Sequence, residues 1–173
     1  MKEIKITRAK KRDAFDVYQL AISEDVRAAS FDNNFFYFDS HLLFFELCRE
    51  HIYIIKQNNK FCGYVRFDID RNDSSLAKIN IAIESFARGK GIAAKAVKIA
   101  INNFLNTKEG REIYYISAEV KSENEASKGL FGKLFRMINK EIVIWGTEDY
   151  REQTEVKGYQ YIYTRGDKFQ DEL

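Results

Sequence analysis

The sequence predicts a mixed α/β domain built on a mostly antiparallel, twisted sheet, and three observations carry that expectation. Apolar runs at 51–57, 60–70 and 76–84 are separated by short polar turns and read as a three-stranded meander. Helical spacing of apolar residues flanks it at 13–22, at about 40–49, from about 91 to 106, and over 124–135. A strand at 3–7 precedes the meander, and strand-like runs at 112–120, 141–145 and 158–164 follow it. The count is six or seven strands against about four helices.

At 173 residues the chain fits a single domain, 1–173, able to bury about 70% of its unfolded surface. Hydrophobic residues make up 45% and charged residues 31%, with 14 Phe and 10 Tyr, which is too apolar for disorder. The balance of 28 basic against 26 acidic residues gives a formal charge of +2, so no basic field draws the chain onto nucleic acid. Two cysteines, Cys48 and Cys62, do not make a disulfide scaffold. The opening MKEIKITRAKKRDAF lacks the apolar core of a signal peptide. No apolar run approaches the ~18 residues of a membrane span. A cytoplasmic protein without membrane contact is expected. The terminal Gln170–Leu173 is similar to an endoplasmic-reticulum retrieval signal, but that signal has no meaning without an export signal.

Along the chain, EIKIT at 3–7 alternates as a strand, and Phe15, Val17, Tyr18 and Ile22 follow at helical spacing behind Asp13. Residues 24–40 have weak periodicity and crowd Phe31, Phe35, Phe36, Tyr37 and Phe38 among polar residues, which predicts a sticky loop. Asp39 or Ser40 then caps a helix carrying Leu42, Leu43, Phe45 and Leu47. Asn58 and Asn59 supply a two-residue hairpin turn. The helix from about Gly91 is expected to bury Ile92, Ala96, Ile99, Ala100 and Phe104. Gly110 separates it from the next strand, and Asn124 or a neighbour of it caps the last helix.

The chemistry concentrates in Arg88, Gly89, Lys90, Gly91, Ile92 and Ala93, between a strand and a helix. Successive amides there can converge near the positive helix terminus, a site that suits a pyrophosphate. Glycines let the backbone approach an anion, and Arg88 and Lys90 add charge at the rim. A glycine-softened turn with solvated basic residues is the plain structural alternative. Gly89 to Ala94 also satisfies G-x-G-x-x-A, the dinucleotide fingerprint, but that motif needs repeated parallel βα units, and here an antiparallel meander precedes it. No G-x-x-x-x-G-K-[ST] occurs.

The order of elements, with R-G-K-G-I-A and the later N-x-x-S helix, resembles the GNAT superfamily of acyl-CoA N-acyltransferases over nearly the whole chain. Arg88, Gly91 and Ala93 meet (Q/R)-x-x-G-x-(G/A), and Val120, Asn124, Ser127 and Phe131 meet V-x-x-x-N-x-x-S-x-x-x-(Y/F). The resemblance implies acetyl-CoA as cosubstrate, its pyrophosphate on the 88–93 amides and its pantetheine arm along the strand near Ile81 and Ile83. Asn124, Ser127 and Phe131 would line its far side. Phe131 stands where many relatives carry a tyrosine acid, and Lys78 where several carry a glutamate base. The glycine expected before the terminal phenylalanine is missing, so the helix should run past Leu134 and Phe135. Glu84, at the strand end beside the loop, is then the first candidate base, with Asp68 and His41 in reserve. His41, Cys48, His51 and Cys62 could be counted as a zinc set, but they fall on different faces, and no metal is expected.

EDVRAASF followed by SHLLFF, together with GYVRFDID, resembles the acceptor segment of GNAT enzymes that acetylate nucleotide-linked amino sugars for bacterial surface glycans. Arg27, His41, Arg66 and Asp68 would then hold a nucleotide-sugar amine, the arginines on its diphosphate. The competing readings are a protein N-terminal or lysine acetyltransferase and a coenzyme A-binding domain without turnover. Oligomeric state is left open.

Overall fold

The computed structural model describes residues 3–31, 35–149 and 152–172. Seven strands form one sheet in the order β1-β2-β3-β4-β5-β7-β6. The chain packs as two compact units, Met1–Ser23 with Phe36–Asp68 and Ile79–Glu112, and Glu24–Phe35 with Ile69–Lys78 and Ile113–Leu173. None of the described helices is long and apolar enough to cross a membrane.

The first unit is built on β1 (Ile4–Arg8), β2 (Ile52–Gln57) and β3 (Lys60–Ile69, to Asp68), each antiparallel to the next. Asn58 and Asn59 turn the hairpin at φ 50° and 62°, the left-handed pair that a two-residue loop of matching twist requires. Ile52, Tyr53, Ile54 and Ile55 are all buried, so β2 is covered on both faces. One face receives α4 (Ile92–Leu105), whose Phe104 stacks on Phe67 with centroids 4.3 Å apart. The buried stripe of α4 is Ile92, Ala96, Val97, Ala100, Ile101 and Phe104; the expected Ile99 lies outside it, 40% exposed.

Asp13 fixes the start of α1 (Ala14–Ala21): its carboxylate accepts from the Lys10 amide at 2.8 Å and pairs with Lys56 at 3.5 Å. α3 (Phe38–Cys48) starts a residue or two before the expected cap, behind Tyr37. Its inner face is His41 and Phe45, whereas Leu43 and Leu47 are 72% and 89% exposed. The ring of His41 competes for the inside because Tyr18, Phe36 and Phe38 pack around it.

In the second unit β5 (Tyr115–Lys121), β7 (Glu152–Thr164) and β6 (Arg136–Asp149) are antiparallel neighbours, with β7 in the middle. β5 begins later than expected because Glu109–Glu112 form a 3-10 turn. β6 begins earlier, directly after α5 (Glu125–Leu134). That abrupt change corrects the expectation of a longer last helix: Phe135 is already extended, at φ −116° and ψ 157°. Residues 24–29, read as loop, form the short helix α2 (Glu24–Ala29).

Strand β4 (Leu76–Ile83) belongs to both units, Leu76–Lys78 to the second and Ile79–Ile83 to the first. Its burial alternates through Ala77 and Ile79 and then slips by one residue to Ala82. Gly63 of β3 makes the slip feasible: a Cβ there would stand 2.1 Å from the Ala82 carbonyl oxygen.

Candidate active site

The segment after β4 turns through Ser85–Ala87, a 3-10 turn, and enters α4 through Gly89 and Gly91, at φ 70° and 69°. Positive φ is the reason for glycine at both positions, since an L side chain there is strained. Nothing lies within 4 Å of where a Cβ would stand on either one, so the outer side of the loop is open. Gly91 is the N-cap of α4, with no side-chain cap and no acidic residue in the first turn. The first amides of a 14-residue helix are therefore left to an outside acceptor. A phosphate-bearing ligand fits this cradle, which has amide donors, positive dipole and free space on the same side.

The two basic residues of the loop are exposed and also bond its backbone. Arg88 Nε donates to the Ile83 carbonyl at 2.9 Å, and Lys90 Nζ donates to the Phe86 carbonyl. Both brace the loop's own backbone. Ile81 and Ile83 are half-buried on β4, and the Glu84 amide donates to the Cys62 carbonyl at 2.8 Å. The Glu84 side chain is half-buried at the strand end.

The remaining candidates of the first unit are more committed than the sequence suggests. Arg66 donates from Nε and Nη2 to Asp68 Oδ2, at 3.1 and 2.8 Å, and lies over the Phe44 ring at 5.0 Å. Asn80 Nδ2 donates to the same oxygen at 2.8 Å. Asp68 is thus a buttress for Arg66 and Asn80. His41 is 6% exposed, its Nε2 has no hydrogen-bond partner, and burial lowers its pKa against a backbone hydrogen bond involving Ala14. It behaves as a core histidine. Cys48 Sγ reaches the Phe44 carbonyl, Cys62 Sγ the Lys60 carbonyl, and His51 meets Phe104 edge-on. Among the described residues no group of three or more His, Cys, Asp or Glu side chains is placed to hold a metal.

In the second unit Asn124 Oδ1 accepts from the Ser127 amide at 3.0 Å, so the N-x-x-S pair is the cap of α5. Phe131 is buried against Phe135 and Tyr161. Arg27 is half-buried on α2. The strand expected at 112–120 carries, as β5, a polar face to which the sequence assigned no role: Ser117, Glu119 and Lys121. Lys78, where the base was missing, pairs with Glu119 at 2.9 Å. Lys121 is 5% exposed and donates to the Ala28 carbonyl of α2 at 2.9 Å. Ser117 is buried and its Oγ has no partner. The alternation of S-A-E-V-K was the available signal: three polar residues at period two inside an apolar strand.

Residues 14–135 match the family model described as acetyltransferase (GNAT) family. The chain is 24% identical over 133 residues to the L-2,4-diaminobutyric acid acetyltransferase of Marinococcus halophilus, covering 76% of this chain and 71% of that protein. A Salmonella typhimurium structure with its cofactor acetyl-CoA superposes with a TM-score of 0.74 at 16% identity, over 95% of each chain. The diaminobutyrate acetyltransferase of Paenibacillus lautus, in complex with its substrate and coenzyme A, gives 0.70 at 17% identity, over 95% of this chain and 96% of that one. These two structures establish the likeness of fold.

Proposed function

The chain belongs to the acetyltransferase (GNAT) family and is an acyl-CoA-dependent N-acetyltransferase with acetyl-CoA as cosubstrate, and from that premise we propose that its acceptor is the primary amine of a small diamino acid. The observation that carries this reading is the similarity to a diaminobutyric acid acetyltransferase over three quarters of the chain. An amino-sugar nucleotide is the weaker reading, because Arg66, one of the two cations its diphosphate needs, is already held by Asp68.

The pyrophosphate rests on the amides that open α4, where Gly89 and Gly91 leave room. The pantetheine arm pairs with the backbone of Ile81–Ile83, outside the β4–β5 ladder, which is limited to Leu76–Lys78 against Tyr115–Ser117. Acetyl-CoA supplies an activated acyl group: the amine nitrogen bonds to the carbonyl carbon, the C–S bond breaks, and the coenzyme leaves as a thiolate. A strand amide can hold the carbonyl oxygen as its charge grows. Glu84 is our candidate for taking the amine's surplus proton; it stands at the pyrophosphate end of the arm's path, so the proton reaches it along a chain of waters, and the thiolate takes a proton from solvent.

Thiol release from acetyl-CoA, measured over diamino acids, polyamines, amino-sugar nucleotides and peptides, tests the acceptor. Turnover fastest on a diamino acid is expected; turnover confined to peptides or nucleotide sugars would replace this acceptor. Glu84→Gln should lower turnover about 100-fold and leave acetyl-CoA affinity intact. An unchanged pH–rate profile in that variant would assign the proton to another group.

A further inference from the structure

One face of the second unit gathers charged and polar side chains on β4 and β5. α5 covers the opposite face, where Phe131 meets Tyr161, the register partner of Ala118. On this side Lys78 of β4 stands in register with Ser117, and Ser117, Glu119 and Lys121 follow at every second position of β5, Lys121 reaching α2. Lys121 is committed to the Ala28 carbonyl. The Lys78–Glu119 pair is only part-covered, its side chains 45% and 22% exposed, and beside it lies a hydroxyl that is buried without a partner. A buried polar group left unpaired is destabilising, a cost a ligand can relieve.

Position along β4 adds to this. Lys78 and Ser117 are the last pair of the parallel ladder. An extended pantetheine arm running back from Ile83 along β4, a strand that advances about 3.3 Å per residue, carries its thioester towards the Lys78 end of the strand. The pair therefore stands next to where the acceptor must present its amine.

We propose that Lys78, Glu119 and Ser117 form the head-group site of a zwitterionic acceptor, an amino acid that carries a second primary amine. Resting on the acceptor reading above, this assigns that molecule's parts. Lys78 takes the carboxylate, Glu119 takes the α-ammonium, and Ser117 Oγ donates to the same carboxylate. The second amine is left free to reach the thioester. The Lys78–Glu119 ion pair is exchanged for two equivalent pairs with the substrate, so neither charge is ever left unpaired. In the resting protein the pair fills the site and holds both side chains in place.

The test uses the full-length protein and three acceptors: diaminobutyric acid, trimethylenediamine, which lacks its carboxylate, and γ-aminobutyric acid, which lacks its α-amine. Lys78→Ala should raise the KM for diaminobutyric acid about tenfold or more and should not raise that for trimethylenediamine. Glu119→Gln should do the same for diaminobutyric acid and leave γ-aminobutyric acid unchanged. Ser117→Ala should raise the KM of the two carboxylate-bearing acceptors alone. The KM for acetyl-CoA, constant in all three variants, reports that each is folded. A KM rise that is equal for all acceptors, or absent for all, overturns the head-group site while the acceptor reading stands. A wild-type protein that acetylates no diamino acid overturns both.

Discussion

Gly91 concentrates the conflict between local conformation and function into one residue. Its φ of 69° costs any L residue about 1–2 kcal/mol, and the open space beside it belongs to the proposed pyrophosphate. Gly91→Glu adds a carboxylate to that space, where it caps α4 from within and repels phosphate. Calorimetry should show acetyl-CoA binding lost, while Gly166→Ala, at another positive-φ glycine with open surroundings, should keep it. His41 makes a different prediction. Burial holds its folded-state pKa below the usual 6.5, so between those two values the unfolded chain binds a proton that the folded chain refuses. Stability is full above about pH 6.5 and falls as pH drops towards the folded pKa, where the loss levels off. His41→Phe should flatten that dependence in urea melts between about pH 7.5 and 5.5. The loop was legible in the sequence because its signals, two glycines and a helix start, are adjacent. The burial of His41 was not legible in the sequence, because nothing local shows that Tyr18, 23 residues earlier, packs against its ring.

Whole elements were legible where local chemistry and packing agree. The hairpin at Asn58–Asn59 and the start of α5 at Asn124 are local decisions, and both stand where the residues put them. The short helix α2 was missed because its six residues bury nothing fully and so carry no periodic apolar signal. The face of β5 was missed for another reason: which side of a strand is polar has meaning only once α5 is known to cover the other. β4 shows how elements constrain each other. Its slip at Ala82 needs a neighbour without a side chain, and Gly63 is that neighbour. Gly63→Ala should destabilise the protein by about 2–3 kcal/mol in denaturant melts. It should also raise the KM for acetyl-CoA, because the displaced backbone is the one the pantetheine arm pairs with. A mutant with normal affinity would detach the slip from coenzyme binding.

At the scale of the molecule, acetyl-CoA should act as a stabiliser. A ligand at 100 times its dissociation constant adds about 2.7 kcal/mol, which for a chain of this length raises Tm by roughly 5–10 °C. Coenzyme A should do nearly as well, since the pyrophosphate and pantetheine are common to both; a thermal shift seen with neither would remove the loop's assignment. The strand order has a consequence for how the chain is made. Among the described residues β5 finds its antiparallel partner in Gly158–Thr164, and β6, which leaves the ribosome before β7, pairs with β7. Synthesis at about 5–20 residues per second therefore leaves β5 waiting some seconds with an open edge, and β6 waiting beside it. During that interval the nascent chain displays β5 with one edge open and β6 without its partner, and the last strand made closes both.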